Sequence, residues 1–482
     1  MRLLRGVYEG PGSHGILRVA ASIQGVHTVL RALPGEGYFP ALYGARERTG
    51  QAAPVSLSPV WEKPQDSWGP GDLARDLSSV VRRHPETEAV ILARSEAALL
   101  SGEEAPAVIL PEVGGRSPTL VTCDWEAPGI GEVEAANLAL EDLVKAHSRG
   151  RRERSPSPTV NLFGPPVFGP GASAEYAEAE RLLALIGVGV NARVPLGASV
   201  GDLSLLSQAW VNVLLYREVG DATTLYLQDE FGTQRVTTPM VGAAGTGAAL
   251  RAIGELCHLD PKRVQRTVWA ELGRTAKLPW YARLGRPETF QERRVAIFGD
   301  FTYPLGLGYA LSREVGLEVA ACGTYLEHLE RDFLFHAHTF TDQAFVEDNP
   351  EEVAARIEAS DPDLVVGTHL EEGVADSLGV PFLPLCSPTS YSPFVEQPLI
   401  GYAGSSVLAD SLDSALAYTL SRPEEEPDAA GLTVMPWTEE AREELAETPP
   451  FLRGRARRLA EEHARELGSD EVTREIFLGS RH

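Results

Sequence analysis

Only four cysteines occur in the 482 residues, Cys123, Cys257, Cys322 and Cys386, and no two of them stand in a CxxC or CxxxxC spacing. Alone, such a chain cannot supply a four-cysteine iron–sulfur site of the usual spacing. The thiols read as small, buried, reduced side chains, with a reactive or ligating role for one of them as the alternative. GxxxxGK[ST], GxSxG and HExxH are all missing, which removes a P-loop, a nucleophile elbow and a zincin helix from consideration. No GxGxxG follows a strand: Gly242-Ala243-Ala244-Gly245-Thr246-Gly247 has the wrong spacing and reads as a turn and helix start rather than a nucleotide loop. Positive charge is scarce, 43 Lys and Arg against 68 Asp and Glu, for a formal charge of −25. That balance excludes nucleic acid as the main partner, because phosphate binding needs a basic face, and it points to solubility rather than to a substrate. No apolar run approaches the roughly 18–20 residues of a membrane span, and the N-terminus has no signal-peptide apolar region, so no membrane span and a cytoplasmic location are expected.

What is present is an ordinary globular composition, 43% hydrophobic and 23% charged, in a chain long enough for about three units. Residues 1–146 read as a first α/β domain, with strands at Ala89-Val90-Ile91-Leu92-Ala93 and Thr119-Leu120-Val121-Thr122. Their short apolar runs suit parallel strands buried on both faces. The basic, Ser/Pro-rich stretch from His147 to Pro158 reads as a linker. A second domain over 159–290 opens on Thr159–Phe163, continues with a helix over 174–187 and returns in Val188–Val194, a β-α-β crossover. The third, over 291–420, opens on Arg294–Asp300 with a helix over 305–315 and a strand over Leu317–Ala321. Past the acidic linker around Glu424–Pro427, residues 433–482 form a small helical module. In it Thr438 caps one helix and Asp470-Glu471-Val472-Thr473 starts the last.

Several side-chain groups are candidates for chemistry. The first forty residues read as a short strand, a Gly/Pro turn at Tyr8-Glu9-Gly10-Pro11, an amphipathic helix and a second turn, Gly35-Glu36-Gly37. This order sets Glu36 on the rim of an α/β domain, where such folds place their sites. His336 and His338 can share one strand face, with His328 and His369 elsewhere in the third unit, but no carboxylate or Cys completes an obvious metal set. Arg455, Arg457 and Arg458 form either a solvated helix face beside Glu461 and Glu462 or a docking patch for an acidic partner or a propionate-bearing ligand. Trp280 and Tyr281 either pack in a core or line a pocket for a large planar ligand.

Taken in order, these segments resemble one family, the B subunit of light-independent protochlorophyllide reductase, a relative of the nitrogenase molybdenum–iron protein. The matching stretches are Tyr8–Pro11 with Gly15 and Arg18, Val160–Pro165, Pro195–Ser199 with Asp202-Leu203, Leu278-Pro279-Trp280, Phe298-Gly299-Asp300, Gly367-Thr368, and Trp437–Ala441 through Pro450–Ala456. The resemblance covers nearly the whole chain. It implies an α/β fold of three Rossmann-like, nitrogenase component 1-type domains with a C-terminal helical module. It further implies ATP-dependent reduction of ring D of protochlorophyllide in (bacterio)chlorophyll biosynthesis. The assembly would be a heterotetramer of two N–B pairs, with a [4Fe–4S] cluster shared with the N-type subunit. ATP would be bound by a separate, transiently docking L-type iron–sulfur protein. By the same resemblance Glu36 is the cofactor-binding metal ligand, where the family has Asp, and Trp280 and Tyr281 wall the substrate site. Besides Glu36, four positions depart from the pattern. Ser95 replaces a Cys; Arg286 falls on the proton-donating Asp, leaving Glu288 as the candidate donor; Ser390 falls near a pocket His; and His14 sits one place late. Those departures keep two alternatives open: a nitrogenase-like reductase of another tetrapyrrole or planar substrate, or a non-catalytic scaffold or assembly partner.

Overall fold

The computed structural model describes residues 7–33, 36, 55–59, 70–100, 109–112, 115, 117–148, 150–166, 171–275, 293–388, 397–421, 435–447, 453–469 and 471–480. Within them the strands form three all-parallel sheets. The first holds β1 (Val26–Ala32), β2 (Val55–Pro59), β3 (Ala89–Arg94) and β4 (Thr119–Thr122) in the order β2-β1-β3-β4. The second holds β5 (Thr159–Phe163), β6 (Gly189–Val194), β7 (Val211–Leu214) and β8 (Gln234–Val236) in the order β6-β5-β7-β8. The third holds β9 (Arg294–Gly299), β10 (Glu318–Thr324), β11 (Ala344–Val346), β12 (Leu364–Val366) and β13 (Phe382–Leu383) in the order β11-β10-β9-β12-β13. Parallel neighbours need crossover connections, and the helices between strands supply them and bury both faces of each sheet. One apolar core runs through all three sheets, and a smaller one sits between the first sheet and helix Pro70–Arg83.

The helices join the sheets closely. Gly15, on helix Gly12–Ser22, lies against helix Glu132–His147, where a Cβ would sit 1.9 Å from the carbonyl oxygen of Glu132, so only glycine permits this approach. The stretch read as a linker leaves helix Glu132–His147 and is tied to the second unit, with Arg152 N donating to Ser207 and Trp210 Nε1 donating to the Ser155 carbonyl. Helix Gly401–Ser421 follows the third sheet in sequence but packs on helices Gly242–Leu256 and Pro261–Thr275 of the second unit. The C-terminal module has its own core of Trp437, Ala441, Leu445, Ala460, Ala464, Val472 and Phe477.

Three sequence expectations change. Strand β1 lies between the first helix and Glu36, where a helix running straight into a turn was expected; its polar residues His27, Thr28 and Arg31 masked a fully buried strand. His336 and His338 sit at the C-terminal end of helix Glu330–Ala337, not on a strand, so they do not share a pleat face. The last helix begins at Arg474 rather than at Asp470, because the Thr473 side chain caps it by accepting from Ile476 N.

Candidate active site

In open parallel sheets, ligands bind beyond the carboxyl ends of the strands, at the point where the strand order reverses. In the first sheet that point falls between β1 and β3. The chain leaves β1 through Leu33 to Glu36, and leaves β3 through Ser95, whose N–H donates to the Arg31 carbonyl at 2.9 Å. Glu36 is half-buried. Its Oε2 accepts the Leu33 N–H at 2.5 Å and its own N–H donates to the Leu33 carbonyl at 3.2 Å, so the carboxylate is fixed on the strand end by a one-turn loop. Beneath it Arg31 is buried and donates to Ser58 Oγ, which donates to Asp76 at 2.6 Å. On the other side Arg94 pairs with Glu126 at 2.8 Å and donates to the Cys123 carbonyl. Gly12, Ser13, Arg94, Glu96, Trp125 and Glu126 line a small cavity beside this edge.

The corresponding points of the other two sheets are filled by the protein itself. Tyr216, after β7, donates to Asp300 Oδ2, after β9, at 2.8 Å. Glu218 accepts the N–H groups of Phe301 at 2.8 Å and Thr302 at 2.5 Å together with the Thr302 hydroxyl, capping helix Thr302–Ala310 from the second unit. Glu371, after β12, accepts from Thr368 N, Thr368 Oγ1 and the Tyr8 hydroxyl. Tyr8 stacks on Tyr325 at 5.3 Å and tilts against Phe298 at 5.1 Å. Burial pushes the carboxyls of Asp300, Glu218 and Glu371 above their ordinary range, and the neighbouring Glu218 adds to the rise at Asp300. Glu9 Oε2 accepts Val133 N and Glu132 Oε2 accepts Gly10 N, while Glu132 Oε1 pairs with Arg18 at 2.6 Å. The Tyr8-Glu9-Gly10-Pro11 motif and Arg18 are therefore structural.

Of the residues singled out in the sequence, Trp280, Tyr281, Arg286, Glu288 and Ser390 lie outside the described residues. The Gly242–Gly247 stretch opens helix Gly242–Leu256, and Glu314 accepts Ala243 N and Ala244 N, both at 2.9 Å. An internal carboxylate thus occupies the place a phosphate would take at that helix end. All four cysteines are free and buried. Burial raises Cys123 well above the thiol range and Cys257 to about 11, so neither is a thiolate at neutral pH. No group of three or more metal-ligating side chains gathers among the described residues. Arg457 lies over the Trp437 ring at 5.8 Å and 3.5 Å from Glu461, a helix-face role.

Comparison with known proteins decides what scaffold this is. The model for nitrogenase component 1 type oxidoreductase matches residues 13–417, and that for the proto-chlorophyllide reductase 57 kD subunit matches residues 437–478. The B subunit of light-independent protochlorophyllide reductase from Heliobacterium modesticaldum is 30% identical, covering 100% of this chain and 98% of its own. The protein of the same name from Pelodictyon phaeoclathratiforme is also 30% identical, over 99% and 98%. The chain belongs to the nitrogenase component 1 type oxidoreductases, in the branch of the light-independent protochlorophyllide reductase B subunits. A solved nitrogenase Cp1 structure superposes with a TM-score of 0.70 at 14% identity, covering 89% of this chain and 97% of that one, which places the fold.

Nitrogenase component 1-like proteins generally carry [4Fe–4S] clusters. Among the described residues Glu36 is a half-buried carboxylate on this edge, and Cys123 on the same edge is a buried thiol. These side chains do not by themselves make up a four-ligand cluster site. The sequence reading missed the glutamates that close the junction, Glu218, Glu314 and Glu371. Nothing local in the sequence marks them, because Glu218 and Glu314 cap helix starts of another unit and Glu371 accepts from Tyr8, 363 residues away.

Proposed function

We propose that this chain is the B-type subunit of a nitrogenase-like, ATP-dependent reductase that reduces ring D of protochlorophyllide to chlorophyllide. The observation carrying the reading is the pairing of two colinear family matches, over residues 13–417 and 437–478, with a carboxylate fixed at the strand-order reversal of the first sheet. A [4Fe–4S] cluster held between this chain and an N-type subunit supplies one-electron transfer, in a heterotetramer of two such pairs.

In this reading Glu36 is the oxygen ligand, with Leu33 N–H fixing one carboxylate oxygen and leaving the other for iron. A harder oxygen ligand in place of thiolate alters the charge at the iron and hence its potential. Trp280 and Tyr281 offer aromatic faces to the macrocycle. The reduced double bond takes up two electrons and two protons, and the Glu288 carboxylic acid delivers one of the protons. Electrons come from an L-type iron–sulfur protein that binds and hydrolyses ATP, a nucleotide site this chain does not supply in its Gly242–Gly247 stretch.

The test is anaerobic assembly with an N-type subunit, followed by addition of an L-type protein, ATP, dithionite and protochlorophyllide. Chlorophyllide formation that requires all three proteins supports the reading. Failure of an iron-loaded complex to consume protochlorophyllide favours a different tetrapyrrole, and failure to form any complex overturns the assignment as a subunit.

A further inference from the structure

The second and third units exchange helix caps. Glu218, on helix Arg217–Phe231 of the second unit, accepts the N–H groups of Phe301 and Thr302 at the start of a third-unit helix. Glu314 returns the contact by capping helix Gly242–Leu256 through Ala243 N and Ala244 N. Three consecutive residues after β7 reach across this seam: Tyr216 to Asp300, Arg217 to Asp332 and Glu218 to the helix start. The seam lies beyond the carboxyl ends of β7 and β9, the edge at which parallel sheets open to take ligands.

Two acids meet at its centre without a cation. Glu218 and Asp300 are both 0% exposed, and Glu218 binds the N–H of the residue that follows Asp300. Asp300 Oδ2 accepts from Tyr216, whereas Oδ1 is buried and accepts no hydrogen bond of ordinary geometry among the described residues. A buried, ionised carboxylate oxygen in that state is far costlier than a neutral carboxyl group. The surrounding charges give no relief. Arg217 is directed at Asp221 and Asp332, and Arg18 is paired with Glu132 at 2.6 Å. Tyr303, Tyr325 and Cys386 also face the pair, and burial holds all three above their ordinary ranges and so uncharged. The further groups that act on those three are Glu175, Glu9, Glu132 and Glu371, all acids, and the buried thiol Cys322. Neighbouring carboxyls in such a site do not both ionise. Burial and the Glu218 charge raise Asp300 well above the carboxylate range, in keeping with this geometry.

We propose that Glu218 and Asp300 hold one proton between them and that this proton latches the second unit to the third, so that its loss as pH rises opens the seam at helix Thr302–Ala310. The inference stands apart from the assigned reaction, since it uses neither Glu36 nor the substrate. Glu218 belongs to the second unit and Asp300 to the third, so their repulsion acts across the seam once the proton has gone. Opening lets water solvate both acids and returns Asp300 to its ordinary range, which releases the proton. The opening equilibrium therefore rises with pH, by up to about tenfold per pH unit, above the ordinary carboxylate range.

Amide hydrogen exchange of the purified full chain tests it. The Phe301 and Thr302 amides donate to Glu218, so their exchange, divided by the intrinsic rate at each pH, reports seam opening. In the wild type their opening constant should rise between about pH 5 and pH 9, by up to about tenfold per pH unit. Asp300→Asn keeps an oxygen acceptor for Tyr216 and cannot ionise, so its opening constant should stay flat. Glu218→Gln removes the other charge and should weaken the dependence, which gives a second comparison if Asp300→Asn does not fold. Strand amides of the first sheet, followed in the same samples, should not share the rise. A wild-type opening constant independent of pH overturns the proposal, as do parallel profiles for wild type and Asp300→Asn. So does a rise shared with the first sheet, which would mean that the whole chain unfolds rather than that the seam opens.

Discussion

The hydroxyl of Tyr8 donates to Glu371 Oε1 at 2.8 Å across 363 residues of sequence, tying the chain's first described turn to the carboxyl edge of the third sheet. Tyr8 is buried against Tyr325 and Phe298. Tyr8→Phe keeps the ring and removes one donor from a buried carboxyl group. The expected loss is about 1–3 kcal/mol, read as a lower denaturant midpoint for the three-sheet body. An unchanged midpoint would mean the hydroxyl contributes nothing to closing the junction.

Glu175 is fully buried, and its carboxyl is pushed from its ordinary 4.5 to about 8, chiefly by burial and against the Leu399 N–H it accepts at 2.8 Å. Because the folded value lies above the unfolded one, the native state holds a proton that the unfolded chain has released between these pH values. The stability from this group is complete below about pH 4.5 and is lost as pH rises to about 8. Glu175→Gln keeps an oxygen acceptor and cannot ionise. The wild-type midpoint should therefore fall relative to that of Glu175→Gln between about pH 5 and pH 8. Parallel pH curves for the two proteins would show that Glu175 does not titrate in this range.

Gly242 has φ +75°, and a Cβ there would lie 2.4 Å from Glu314 Oε1 and 2.8 Å from Ala310 Cβ. Gly242→Ala therefore meets both a left-handed backbone and the carboxylate that caps its own helix. A loss of about 1–3 kcal/mol is expected, visible as a lower unfolding midpoint. Wild-type stability would show that the second and third units separate there without cost.

In the C-terminal module Phe477 is fully buried at 5.8 Å from the Trp437 ring. Phe477→Ala should remove about 3–5 kcal/mol from a core that few other side chains support. Limited proteolysis should then trim the chain before about residue 435 and leave the three-sheet body intact. Simultaneous degradation of the whole chain would show that the module folds as one unit with the body.

Much of this architecture is legible in the sequence because parallel strands buried on both faces announce themselves as apolar runs, as Ala89–Ala93 and Val295–Phe298 do. Strand β1 does not: His27 reaches Ser56 at 3.0 Å and Arg31 reaches Ser58, so tertiary partners satisfy side chains that locally argue against a buried strand. The helix carrying His336 is short and half-exposed, and its alternating histidines mimic a strand period. The packing of helix Gly401–Ser421 on the second unit is a long-range choice that no local pattern encodes. Within the site, the loop position of Glu36 follows from its Gly-flanked turn. Its attachment through Leu33 N–H depends on backbone geometry after β1 and is visible only in three dimensions.

The most direct test of the central claim is iron and acid-labile sulfide analysis of the anaerobically purified complex with an N-type subunit, wild type against Glu36→Ala, with a Glu36→Asp control. The account predicts about four iron atoms per pair in the wild type, a clear fall in Glu36→Ala, and retention of iron in Glu36→Asp with a shifted midpoint potential. Equal iron content and identical spectra in wild type and Glu36→Ala would contradict it and make Glu36 an ordinary rim carboxylate.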